Sequence, residues 1–406
     1  MKKENVLKIL NFIIEYSLYG LIFFLPQAPA LIEIFSTLAI VAFIIKKAIE
    51  PDFKFTKNIS HLFLLLFLFF NILSFLNSGI YLEKSIKAFF SKWLQYIFIF
   101  LIVEDFFIKN PKKIKKVIFL ILFMAFFVGL DCFFQKYLNI EFMRKREIVF
   151  IEPNKLYAVT GPFHHYNDLA AYLIFILAVV LVFLFKSNKI FIKFFLLIEF
   201  FILFFALLVS YSRGGWVGFL FIIILLLILF KKIKLLGGIG ILFLIVLLFI
   251  PSVKERFLFT FSGAGDLGRF LIWKETLKII RQNPFLGKGL GTYMDCFSKI
   301  SPSLEVQYAH NCFLQIWAET GIFSLLSFLF FLFSIFLKAI KKFFVTGDNL
   351  ILAFLLGIFG FLVHSFFDTH LYSLQLATLF WYNLGLLDAF IIKVKERTKQ
   401  AKIKHK

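Results

Sequence analysis

The chain has 406 residues, of which 61% are hydrophobic, and a formal net charge of +21. Soluble domains are only about 45–50% apolar, so a soluble globular protein is excluded and an all-α polytopic membrane protein is expected. The positive charge would suggest nucleic acid in a soluble chain. Here it is expected from orientation by cytoplasmic Lys and Arg and from contact with anionic membrane lipids, with no nucleic-acid partner.

Twelve apolar runs of roughly 16–21 residues, each enough to cross a bilayer as a helix, fall at about 9–25, 30–45, 60–76, 88–104, 117–134, 167–185, 190–210, 215–230, 235–251, 320–337, 350–366 and 374–392. The first lacks a small-residue cleavage site and reads as an anchored span. Pro26 and Pro29 punctuate the hairpin between the first two runs. The chain divides into nine spans over 1–251 with an outer loop at 135–166, a helical periplasmic loop domain at 252–319, three spans over 320–392, and a basic cytoplasmic tail at 393–406.

With both termini in the cytoplasm, more than half of the Lys and Arg fall in short inner segments, as the positive-inside rule requires. Arg follows a different pattern. Arg144, Arg146, Arg213, Arg256, Arg269 and Arg281 are outward in this arrangement, and only Arg397 is inward. Orientation needs charge alone, which Lys supplies. Arg is favoured where phosphate or carboxylate is held by two parallel hydrogen bonds. The outer face therefore reads as built for an anion.

In chain order, the first outer loop ends on His164, His165, Asn167 and Asp168 at the head of the sixth run. They read as a helix N-cap. A metal reading would need His364, Asp368 or His370 as further ligands. Tyr211, Ser212, Arg213, Gly214 and Gly215 join the seventh and eighth runs. An Arg at such a joint either snorkels to water or faces a cavity, and the glycines permit close approach. In the large loop a helix is expected over 269–280, its apolar face formed by Phe270, Trp273, Leu277 and Ile280. The glycines 287, 289 and 291 read as a tight turn, since no P-loop Gly-Lys-Ser/Thr follows. His310 stands before the tenth run with Asn311 as a candidate cap, and Glu319 lies too far along to be its immediate partner. Glu15, Glu33 and Glu199 fall within spans, and Glu33 and Glu199 are expected to pair with outer-face cations. Cys132, Cys296 and Cys312 show no metal spacing, and a Cys296–Cys312 bridge is left open.

Ser210 to Trp216, Arg269 with Trp273, Asn283 to Gly291, and His310-Asn311 followed by Gly321 and Ser324 together resemble the O-antigen ligase superfamily of bacterial inner-membrane glycan transferases. Gly161, Pro162, Phe163 and Asn167 fit the same pattern. Ser324 departs from the Gly, Thr or Tyr usual at the end of the ligase signature. The resemblance implies transfer of a glycan from undecaprenyl pyrophosphate to an acceptor hydroxyl, lipid A-core in a ligase or a growing glycan in a polymerase, at the periplasmic face. It implies Arg213 and Arg269 as pyrophosphate ligands, His310 as general base, substrate contacts from Tyr211, Ser212 and Asn311, and neither metal nor other cofactor. The alternative class is a polysaccharide or lipid-linked sugar transporter. Transporters place ionisable groups at the bilayer midplane and show internal repeats. Here no repeat is evident and the Arg and His candidates gather at the outer edge.

Overall fold

The computed structural model describes residues 3–52, 58–145, 157–258, 264–302, 304 and 306–404. Arg146 and the turn-rich segment 259–263 lie outside them, as does the side chain of Arg397. The described residues form helices and no strands. In chain order these are α1 (Lys3–Phe24), α2 (Pro29–Ile49), α3 (Ile59–Leu73), α4 (Leu82–Ala88), α5 (Gln95–Lys109), α6 (Ile114–Leu138), α7 (Tyr166–Lys186) and α8 (Ile190–Val209). Then come α9 (Arg213–Leu229), α10 (Leu236–Phe249), α11 (Pro251–Leu258), α12 (Ala264–Gln282), α13 (Tyr293–Ile300), α14 (Cys312–Thr346), α15 (Asn349–His364) and α16 (Leu374–Lys404).

Among the described residues, nine segments are long and apolar enough to cross a membrane. Three of the twelve expected runs fall on shorter helices, α9 of 17 residues, α15 of 16 and α10 of 14. One expected start moves. The helix expected from 269 begins at Ala264. The tenth run, expected from 320, is preceded by a further helical stretch from Cys312 up to a break at Gly321, and Asn311 caps that stretch, its Oδ1 accepting from the amides of Phe313 at 2.9 Å and Leu314 at 3.0 Å.

Which helices are interior follows from what covers them, because an all-apolar helix suits a protein core as well as lipid. Helix α7 packs along α8 and α15, and α16 along α5, and both are buried over most of their length, whereas α8 is largely uncovered. Small residues set the close contacts. Gly360 of α15 packs on Ile174 of α7 and Ile222 of α9, and Gly218 of α9 approaches the Gly360 carbonyl.

The alternating helix directions gather the connections into two ends. At one end Lys47 bridges Asp105 at 2.8 Å, and Lys338 bonds Asn58. At the other, Asn77 donates to the Gly287 carbonyl at 2.9 Å, Tyr211 bonds Ser252 at 2.7 Å, and His310 meets Asp368 at 3.2 Å. All the expected site residues lie at this second end.

Candidate active site

His310 sits in the turn just before α14, in the left-handed region with φ 47°. A non-glycine residue held there costs about 1–3 kcal/mol and persists only when its surroundings fix it. They do so through Ala309. Its carbonyl accepts from the Trp273 indole at 3.1 Å, and its amide donates to Gln315 at 3.0 Å. The Trp273 bond also ties α12, the helix carrying Arg269, to the residue beside His310.

The His310 side chain is 39% exposed, and its Nδ1 lies 3.2 Å from Asp368 Oδ1. With Nδ1 donating to the carboxylate, Nε2 is left as an acceptor toward solvent. The other Asp368 oxygen accepts from the Asn167 amide at 2.6 Å, and the Asn167 carbonyl accepts from the Ser212 hydroxyl at 2.7 Å. Burial opposes ionisation of Asp368, but the His310 hydrogen bond and the neighbouring imidazoles hold its carboxyl well below the usual carboxylate range. The carboxylate is thus a fixed negative charge behind His310.

Ser212 links this chain to the arginine joint. It caps α9 by accepting from Gly215 N at 3.2 Å and lies 3.3 Å from His364 Nε2. Arg213 is the first residue of α9 and is half-buried. Gly214 next to it packs on His364 so closely that a Cβ would stand 2.7 Å from the ring. Arg269, also half-buried, lies within electrostatic reach of the same His364. The segment bearing Arg213 therefore packs on an imidazole that the Arg269 charge also reaches.

Tyr211 and Ser212 were expected to touch substrate, but both are buried and committed to protein partners. The Tyr211 hydroxyl bonds Ser252 and receives Lys136 Nζ at 3.0 Å, and its carbonyl accepts from Arg256 at 3.1 Å. With φ 54° at Tyr211, these bonds hold the left-handed turn that presents Arg213. Asn311 is likewise buried and engaged in capping. The signal for these roles was in the sequence: a Ser or Asn just before a helix is a capping residue first.

The glycine loop is structural in a way its spacing did not reveal. Helix α14 breaks at Gly321 (φ 82°, ψ 172°), and the loop at 283–291 fills the break. The Lys288 and Gly289 amides donate to the carbonyls of Ala318 and Glu319 at 3.0 and 2.9 Å, and Ile322 N donates to the Pro284 carbonyl at 2.9 Å. Backbone groups freed from a helix in an apolar environment must be satisfied by protein, and here the loop does it. A Cβ at Gly287 would stand 2.3 Å from the Glu319 carbonyl oxygen, so this close approach requires glycine. Buried Glu319 accepts from Tyr372 OH at 3.1 Å and Tyr293 N at 3.3 Å, away from His310. Ser324 is 3.0 Å from the Asn71 amide, which donates to it.

The metal alternative is partly assembled. His370 Nδ1 is 3.8 Å from Asp168, and the His364 and His370 rings lie tilted with centroids 4.3 Å apart. Among the described residues, however, the three ligand types that come within metal-sharing distance are those of His61, Glu104 and Asp388, at the opposite end. Glu33 bonds the Gln95 amide at 2.8 Å, and Glu199 is buried with one oxygen unpartnered, so neither takes the expected cation among the described residues. The three cysteines are free thiols. Cys296 bonds Thr292, and Cys312 accepts from Leu371 N, so the 296–312 bridge is not formed.

Residues 198–329 match the family model described as O-antigen ligase. The match spans Arg213, Arg269, the glycine loop, His310 and the Gly321 break, and ends before Asp368. A search of curated proteins finds no match.

Proposed function

We propose that the chain, whose residues 198–329 match the O-antigen ligase family model, is a member of that superfamily that transfers a glycan from undecaprenyl pyrophosphate to an acceptor hydroxyl, with lipid A-core as the acceptor. The end bearing His310 is periplasmic in this reading, and the protein resides in the bacterial inner membrane with both termini in the cytoplasm.

The observation that carries the reading is the hydrogen-bonded chain from His310 through Asp368 and Asn167 to Ser212, which caps the helix beginning at Arg213. In the proposed reaction His310 Nε2 takes the proton of the acceptor hydroxyl as its oxygen attacks the anomeric carbon. The bond from that carbon to the phosphate oxygen breaks, and the lipid pyrophosphate leaves with the electron pair. A single displacement inverts the anomeric centre. Asp368 balances the imidazolium that forms, in the manner of an acid–base–orienter set. Arg213 and Arg269 supply the fixed positive charge that the departing pyrophosphate needs, and such groups accelerate the step when they hold the developing charge better than the ground state. Support for their convergence is that Gly214, next to Arg213, packs on His364 and the Arg269 charge reaches the same ring.

The test is to incubate the purified protein with labelled lipid-linked glycan and, separately, lipid A-core, a growing glycan and a protein acceptor. Label on lipid A-core is expected. Label on the growing glycan instead would make the protein a polymerase of the same superfamily, and no transfer to any acceptor would sink the enzyme reading. Replacing Arg213 or Arg269 with Ala should weaken donor binding, with only partial rescue by Lys, which keeps the charge but loses the fork. A reporter fused after Lys288 that is active only in the cytoplasm would overturn the topology.

A further inference from the structure

Two imidazoles near Asp368 are held in opposite senses. In His310, Nδ1 faces the carboxylate at 3.2 Å, which leaves Nε2 to accept. His165 is the N-cap of α7, and its Nδ1 accepts from the Asn167 amide at 3.2 Å. A ring nitrogen that accepts from an N–H carries no hydrogen, so in the neutral ring of His165 the hydrogen is on Nε2. One imidazole is set to take a proton, and the other to offer a hydrogen bond.

The surroundings keep His165 neutral. Its Nδ1 meets the first turn of α7, where the helix dipole disfavours a further positive charge. Although the residue is exposed, the protein packed about the ring desolvates it and lowers its pKa, against the pull of Asp368 and Asp168. Its position follows from the bonds. Asn167, whose amide it caps, is the middle member of the chain that runs from His310 and Asp368 to Ser212 and the start of α9 at Arg213. His165 is in electrostatic reach of His310, and also of His364, the ring on which Gly214 packs and which the Arg269 charge reaches. Among the described residues the ring makes one hydrogen bond, through Nδ1. A cap alone does not call for an imidazole, because Ser, Thr, Asn and Asp are the preferred N-caps. What the imidazole adds is the second nitrogen, on the side of the ring away from the capped amide.

We propose that His165 Nε2–H donates to the phosphate oxygen that leaves the anomeric carbon, as a neutral member of the site that holds the pyrophosphate. The proposal rests on the transferase reading above. As the carbon–oxygen bond breaks, the electron pair passes to that oxygen, and the N–H meets the charge as it develops. The hydrogen stays on nitrogen. Donors aimed at developing charge accelerate such a step. Neutrality matters because His310 is near. A further cation there would oppose the imidazolium that forms when His310 takes the acceptor proton, whereas a neutral N–H does not.

The experiment uses the full-length protein in detergent with lipid-linked glycan as donor, and compares wild type, His165→Ala and His165→Asn. Asn is itself a preferred N-cap, so His165→Asn keeps an acceptor for the Asn167 amide, while its shorter side chain carries no donor to the place of Nε2. Measured are kcat, donor KM, melting temperature and affinity for undecaprenyl pyrophosphate, the charged product. His165→Asn should melt as wild type does and lose about 10²-fold or more in kcat, the usual loss for one such donor, with the donor KM little changed. Its affinity for undecaprenyl pyrophosphate should fall roughly 10-fold or more, as for a lost hydrogen bond to a charged group. His165→Ala should be as slow and should also melt lower, having lost the cap. Recovery of the wild-type rate in His165→Asn would make His165 a cap alone and overturn the proposal, as would an unchanged affinity for undecaprenyl pyrophosphate. If wild type transfers to no acceptor, the transferase reading falls. Undecaprenyl pyrophosphate binding that still drops in His165→Asn would then keep His165 as a ligand of the anion, and binding that does not drop would remove that role too.

Discussion

The protein contains two clusters in which a histidine meets an acid from a distant helix, one at each end, and they are built oppositely. At the end that is outer in the proposed topology, His310 lies in a left-handed turn, 39% exposed, against Asp368. At the inner end His61 Nε2 lies 2.9 Å from Glu104, with side chains only 9% and 7% exposed, and Asn58 donates toward Asp388 on α16 at 3.5 Å. Lys338 on α14 adds a positive charge through Asn58 and Ser60. The inner groups all sit in or at the ends of helices and face one another. The outer groups sit on turns, and one imidazole nitrogen points away from the cluster. A closed cluster of opposite charges ties helices together, whereas an open one with a strained backbone can act on something else.

The largest expected effect separates the two by activity. His310→Ala should lower the transfer rate by about 10²–10⁴-fold, the usual contribution of a general base, while leaving donor binding largely intact. Asp368→Asn should cost less, roughly 10–100-fold in rate, since it removes a charged hydrogen-bond partner but leaves the base. The measurement is transfer rate beside donor affinity. A His310→Ala protein that loses donor binding as badly as Arg213→Ala would make His310 a binding residue.

The inner cluster should respond in stability instead. Leaving a buried charge without its partner costs about 3–5 kcal/mol. Glu104→Gln and His61→Ala should therefore lower the melting temperature of the purified protein, with the rate per folded molecule unchanged. A normal melt together with a reduced rate would break the comparison and assign the inner cluster a part in function.

Much of this was legible in the sequence, and the rest was not for definite reasons. The apolar runs and the basic short loops were read from composition and spacing, because hydrophobic length and Lys placement are local quantities. His310, Arg213 and Arg269 could be named from motif blocks. Their arrangement could not: Asp368 is 58 positions from His310, and no local pattern announces the bond. The resemblance drew Tyr211, Ser212 and Asn311 toward substrate, whereas capping chemistry gives Ser212 and Asn311 partners within the protein and Tyr211 is held by Ser252 and Lys136. The break at Gly321 falls at the edge of the tenth run, and it was hidden because the loop at 283–291 that fills it is distant in sequence.

That break offers a further way to sharpen the contrast, because it belongs to the outer end without touching the acid–base pair. Gly321 occupies a region open almost only to glycine, and a Cβ would stand 2.0 Å from the Phe285 carbonyl oxygen. Gly321→Ala should destabilise by at least about 1–3 kcal/mol. It should also lower the rate of the molecules that remain folded, since the displaced loop leads into the segment ending at His310. Activity per folded molecule equal to wild type would show that the loop is a brace only.

The smallest effect is a dependence on pH, and its sign follows from Asp368. In the folded protein its carboxyl is held well below the usual range, in spite of burial, by His310 and the nearby imidazoles. The unfolded chain takes up the Asp proton near pH 4. Below that value the unfolded state binds more protons than the folded one, so stability falls as pH falls. The contribution of Asp368 is therefore fully present above about pH 4 and is lost as pH drops through the lower folded value. Asp368→Asn lacks the titrating group and should lack this part of the slope. At neutral pH the variant should melt below wild type, and the gap should narrow as pH falls from about 5 toward 2.5. Melting curves for both proteins across that range in a non-ionic detergent supply the measurement. Curves that stay parallel would mean that Asp368 is not ionised against the imidazoles, and the outer cluster would then lack the fixed negative charge assigned to it.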